Sequence, residues 1–87
     1  MSLPLPRDVD ERLRSLLAQV MDVEPAQVGA GFGNATCASW TSLKHLMLVS
    51  QLESSFDVMF SNREIPELTS YEAITAVLAR RLGQGQA

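Results

Sequence analysis

Cys37, Ser42 and His45 are the residues of this 87-residue chain whose types suit nucleophilic or acid–base chemistry. A cysteine and a histidine can act as nucleophile and base, but a third group must orient the base, and none is evident. Cys37 therefore reads as a buried or inert thiol. His45 shares a helical face with Leu48 and Leu52 and reads as a satisfied structural histidine. No second ligand stands at metal spacing from it, so neither a metal site nor a catalytic residue is expected. "GAGFG" (29–33) resembles a fragment of a phosphate loop, yet no strand precedes it and no Gly-Lys-Ser/Thr follows; it reads as a flexible loop. "DVDE" (8–11) lacks the remaining ligands of a calcium loop and reads as a helix cap. Met47 and Met59 read as packing residues.

Ser42 is the more informative position. It stands where polar, glycine-rich chain gives way to a strong helical pattern in "ASWTSLKHLMLVSQLESSF" (38–56). A serine at a helix start usually caps an orphan N–H. Thr41 can take that role instead, which would leave Ser42 in the first turn with a free hydroxyl. There, unpaired N–H groups and the positive end of the helix dipole favour an attached phosphate.

The elements that would position these residues are helical. "RDVDERLRSLLAQVMDV" places Val9, Leu13, Leu16, Leu17 and Val20 at helical spacing, and Asp8 with Glu11 suggests a capping box, predicting a helix over about 8–21. A long connection follows, with a proline and three glycines in "EPAQVGAGFGNATCAS". At about 18 residues it exceeds what compact domains usually use, so it is expected to pack as an ordered loop or to serve a function. The second helix spans about 42–56. Ser61 and Glu64 form a second box opening a short helix that Pro66 curtails. Thr69 with Glu72 opens a last helix carrying Tyr71, Ile74, Val77, Leu78 and Leu82, with Arg80 and Arg81 near its negative end and Gly83 as its stop. The expected fold is all-α: a small four-helix bundle of three longer helices and one short one, with a long loop between the first two. It is expected to form a single domain over 1–87, ordered from about 8 to 82, with a frayed tail at 83–87.

The second helix is apolar on two sides. Leu48, Val49, Leu52 and Phe56 form one stripe. Leu43, Leu46 and Met47 lie nearly opposite. A bundle this small cannot surround a helix, so the second stripe either meets a partner or is covered by the loop at 22–41.

Composition narrows the class. Hydrophobic residues make up 46 % and charged residues 20 %, ordinary values for a globular chain. The net charge is −3 and the seven basic residues are scattered, so no nucleic-acid footprint is present. A lone cysteine fits a reducing cytoplasm. "MSLPLPRDVDE" has no apolar core segment and is not expected to act as a signal peptide. No run approaches the roughly 18 apolar residues of a membrane span.

From Trp40 onward the chain resembles the second half of an acyl carrier protein. That family's signature is Asp-Ser-Leu at the start of the second helix, then an apolar helix ending in Glu-x-x-Phe, then a short third helix. Ser42-Leu43 matches the last two signature residues, "LESSF" (52–56) the helix end, and "SNREI" the third helix. "LTSYEAI" (68–74) resembles the opening of the last helix. The resemblance runs over about residues 8–82 and is weaker in the first helix and loop. Trp40 before the signature and His45-Leu46 after it are similar to stand-alone carriers of specialised pathways.

The resemblance implies a non-catalytic carrier of acyl-carrier fold. Ser42 would bear 4′-phosphopantetheine, taken from coenzyme A by a phosphopantetheinyl transferase that uses magnesium. A loading ligase and downstream acyl-transfer enzymes would be further partners, meeting Thr41, Leu43, Leu46 and Met47, with the carrier acting as a monomer. The cargo would be a fatty or polyketide acyl group or, as in peptidyl carriers, an amino acid. Thr41 replaces the signature aspartate, and the second helix holds Lys44 and Glu53 rather than many acids, which implies a specialised pathway rather than housekeeping fatty-acid synthesis. The rival reading is a helical interaction module in which Ser42 only begins a helix.

Overall fold

A computed structural model describes residues 5–84 of the chain. It contains three α-helices, α1 (Arg7–Met21), α2 (Ser42–Phe56) and α3 (Tyr71–Gln84), with 3₁₀ turns at Pro25–Gln27 and Ile65–Glu67. Among the described residues there is no strand, only an isolated antiparallel bridge between Gly33 and Ser70. The all-α class is as expected; the count of four helices is not. No helix among the described residues is long and apolar enough to cross a membrane.

The reason for three helices lies at Pro66. The Ser61–Glu64 box does form: Ser61 N–H donates to Glu64 Oε1 at 2.9 Å and Glu64 N–H to Ser61 Oγ at 3.2 Å. Yet Pro66 has no N–H to continue a ladder, and its ring crowds the preceding turn. The segment collapses into a turn and the 3₁₀ turn Ile65–Glu67.

Two helix starts also differ from expectation. α1 begins after Pro6, with no side-chain bond at the cap, so Asp8 and Glu11 form no box. Pro6 O accepts Asp10 N–H at 2.9 Å, and Asp8 and Asp10 place negative charge at the positive helix end. α3 is capped by Ser70, whose Oγ accepts Ala73 N–H at 3.1 Å, rather than by a Thr69–Glu72 pair. Gly83 does not stop α3, which runs to Gln84. A helical glycine costs about 1 kcal/mol and does not forbid the conformation. Of the expected frayed tail, 83–84 are helical and 85–87 lie outside the described residues.

α1 and α2 run antiparallel and close each other's ends. Lys44 Nζ on α2 donates to Val20 O at the end of α1 (2.8 Å), while Arg12 Nη1 on α1 donates to Ser55 O at the end of α2 (3.1 Å). Each cation thereby satisfies a carbonyl at a negative dipole end. Both helices then stop on an aspartate in the left-handed region, Asp22 (φ 60°) and Asp57 (φ 53°). Aspartate tolerates that conformation better than most side chains. Between the helices Leu13, Leu17, Leu48 and Leu52 are fully buried in one core with Ile74 and Leu78 of α3. Met47 and Met59 are not core packing residues: they are 44 % and 78 % exposed.

The long connection is a wall of the domain and not a loose loop. It sends Val28, Cys37 and Trp40 into the core. Arg14 Nη1 holds Val28 O at 2.9 Å, and Ser39 Oγ donates to Met21 O at 2.6 Å. Around Gly33 it joins the start of α3 through Tyr71 N–H to Phe32 O (2.8 Å) and Asn34 N–H to Thr69 O (2.9 Å). A Cβ on Gly33 would meet Thr69 O at 2.8 Å, so "GAGFG" contains a glycine demanded by close backbone approach, not by flexibility. Asp10 adds a side-chain tie, accepting from Arg14 Nε at 2.9 Å and from the Tyr71 hydroxyl, with Arg14 stacked 5.0 Å over the Tyr71 ring.

Glu64, 7 % exposed, is the buried charge of the described core. It accepts from Arg81 and, at 3.0 Å, from Arg80 Nη2. The expected dipole role of these arginines is secondary to this pairing. The Arg81 guanidinium, then the Ser61 N–H and Arg80, hold the Glu64 carboxyl down to about 2 from its ordinary 4.5.

Two outcomes follow. Phe56→Ala should cost about 3–5 kcal/mol in chemical denaturation, since Phe56 is buried; a midpoint unchanged from wild type would mean that its ring is not part of the core. The native Glu64 carboxyl binds its proton later than the unfolded one, so its contribution is whole above pH 4.5 and is lost as pH falls through about 2. The stability margin of wild type over Glu64→Gln should therefore shrink on acidification from about pH 6 to about pH 3. A margin independent of pH would rule out the Arg81 pairing.

Candidate functional site

Ser42 is the first residue of α2, and Thr41 is its cap. Thr41 lies in extended backbone (φ −89°, ψ 173°). Its Oγ1 accepts Lys44 N–H at 3.2 Å and its carbonyl accepts His45 N–H at 2.8 Å. With capping taken by Thr41, the exposed Ser42 hydroxyl makes no hydrogen bond among the described residues. The N–H groups of Ser42 and Leu43 belong to the first turn and have no intrahelical acceptor.

Behind Ser42 the chain is tightly fixed. Trp40 Nε1 donates to His45 Nδ1 at 3.1 Å, so His45 Nε2 carries the proton and donates to Ile65 O at 2.9 Å. Trp40 also meets the Phe32 ring at 6.0 Å between centroids. His45 is thus the satisfied structural residue expected, with neither nitrogen free to serve Cys37 or Ser42 as a base. Cys37 is buried with its Sγ 3.2 Å from Ser39 Oγ. The structure does not bring Cys37 and His45 together as a reacting pair. Among the described residues no group of three or more His, Cys, Asp or Glu could hold a metal ion.

A groove of about 200 Å³ lies beside Ser42. Ser42, Asn34, Trp40, His45, Pro66 and Thr69 line it, drawn from the long connection, α2 and the segment before α3. Sequence reasoning placed Ser42 and Thr41, which also lines the groove, and missed Asn34, Trp40, His45, Pro66 and Thr69 as walls. Nothing in spacing could reveal them, since Asn34 and Thr69 meet only through the bridge at Gly33.

On the outer side of α2, Leu43 is 68 %, Leu46 62 % and Met47 44 % exposed. The connection at 22–41 does not cover them. The Lys44 and Glu53 charges of α2 are opposite in sign, and each is held on a backbone group: Lys44 donates to Val20 O, and Glu53 Oε2 accepts Phe60 N–H at 2.9 Å. The site therefore combines an accessible hydroxyl, unpaired first-turn N–H groups, a shallow groove and an adjacent apolar stripe. Among the described residues no side chain is hydrogen-bonded to the Ser42 hydroxyl, which faces solvent, and the neighbouring His45 is engaged at both nitrogens. In comparisons with known proteins, no family model matches the chain, and no curated protein matches it.

Proposed function

We propose that this domain is an acyl carrier, modified at Ser42 with 4′-phosphopantetheine and serving enzymes of a specialised fatty-acid, polyketide or related pathway in the cytoplasm. The observation that carries the reading is the division of labour at the start of α2: Thr41 caps the helix, and Ser42 stands exposed with its hydroxyl unengaged. A serine that merely began the helix would be expected to hold the cap bond itself. The residues present fit the group. Ser42 Oγ would supply the ester oxygen, its proton passing to a base of a phosphopantetheinyl transferase as the rest of coenzyme A leaves. The N–H groups of Ser42 and Leu43 would stabilise the resulting phosphodiester. When bound, the group supplies a terminal thiol that holds cargo as a thioester. Leu43, Leu46 and Met47 would form the surface that the transferase and the loading and acyl-transfer enzymes touch.

Incubation with coenzyme A, magnesium and a broad-specificity phosphopantetheinyl transferase should raise the intact mass by one phosphopantetheinyl group. Ser42→Ala should fold as wild type and gain none. Modification of that variant at Thr41 or Ser39 would overturn the assignment, and an unmodified wild type would favour a non-carrier module. Leu46→Glu should leave stability within about 0.5 kcal/mol, as exposed substitutions usually do. The same change should slow transferase loading by the equivalent of about 2 kcal/mol, the scale of an apolar interface anchor. Loading at the wild-type rate would move the partner surface elsewhere.

A further inference from the structure

The geometry points to the groove beside Ser42 as a resting site for the first, branched part of the phosphopantetheine arm, an inference that rests on the carrier reading. Two other depressions are formed by the described residues: one, about 540 Å³, lies within the long connection around Phe32 and Cys37, and the other, about 220 Å³, lies between α1 and α2 at Lys44 and Met47. Neither has Ser42 in its lining. The groove of about 200 Å³ does, so a chain leaving Ser42 Oγ starts at its edge.

The lining also has the chemistry of that part of the arm, which carries two methyl groups on one carbon, a hydroxyl and an amide. Trp40 and Pro66 offer ring surfaces for the methyls. Trp40 Nε1 and both His45 nitrogens are already engaged, by each other and by Ile65 O. Polar recognition therefore falls to the Asn34 amide and the Thr69 hydroxyl, whose side chains make no hydrogen bond among the described residues. The bond from Asn34 N–H to Thr69 O, 2.9 Å, holds these two residues side by side.

Size supports a tethered occupant over a free one. Pockets that capture free small molecules are usually about 300–1,000 Å³, above this groove. A covalently attached chain needs far less affinity, because a short tether gives an effective concentration in the millimolar range. The groove would thus shelter the near half of the arm while leaving the thiol end available.

The test uses the ¹⁵N-labelled full chain, loaded by the transferase with coenzyme A and checked by intact mass before NMR. The expected result is a shift of the Trp40 indole N–H, the Asn34 side-chain amide and Thr69, with nuclear Overhauser contacts from the arm's paired methyls to the Trp40 ring. The double variant Asn34→Ala, Thr69→Val should load to the same mass yet lose those contacts severalfold. Its backbone bonds remain, so a folded spectrum is expected. Full mass gain with shifts confined to residues 41–44 would overturn the groove assignment and leave the carrier reading intact. Methyl–Trp40 contacts undiminished in the double variant would overturn the roles of Asn34 and Thr69. No mass gain in wild type would overturn the carrier reading and this inference with it.

Discussion

At Gly33 the connection between α1 and α2 touches the backbone ahead of α3 with no room for a methyl group, Thr69 O standing 2.8 Å from where one would sit. Much of the surroundings of Ser42 depends on that contact. It sets Phe32 against Trp40, and Trp40 fixes the tautomer of His45, which in turn holds Ile65 O. The result is a chain of contacts from the connection, through α2, to the turn before α3. Without the close approach, a segment of this length would be expected to move freely and α2 would lose the wall behind its first turn.

The rest of the bundle compensates for small size by joining elements at their ends. A chain of this length buries only about 60–65 % of its unfolded surface, so terminal carbonyls and turns weigh heavily. Arg12 and Lys44 each close the end of the opposite helix, and Glu64 draws the segment before α3 onto Arg80 and Arg81. These bonds are directional. They fix the register of helices whose apolar faces alone would tolerate sliding.

Local patterns were legible and convergent ones were not. The bounds of α2, the unengaged Ser42 and the two-sided distribution of Leu48, Leu52, Leu43 and Leu46 follow from capping chemistry and a 3.6-residue period, both local properties. Ser61 and Glu64 form their box, but a proline two residues on decided whether a helix could follow. The sequence pattern pointed to Thr69 as the cap of α3; in the fold, Thr69 O is committed to Asn34 and the neighbouring Ser70 takes the cap. The groove was illegible because its walls come from segments some thirty-five residues apart, joined by backbone bonds that leave no mark on composition.

The internal use of Lys44 and Glu53 has a consequence for how α2 meets other molecules. Both charges serve backbone groups of their own fold, and the outward side between them offers leucine, methionine, serine and glutamine. A surface of that kind exerts little long-range pull. With one cation and one carboxylate on α2, this side adds little of its own to the field of a chain whose net charge is −3. Discrimination at this face would then rest on the fit of apolar side chains at short range rather than on attraction at a distance.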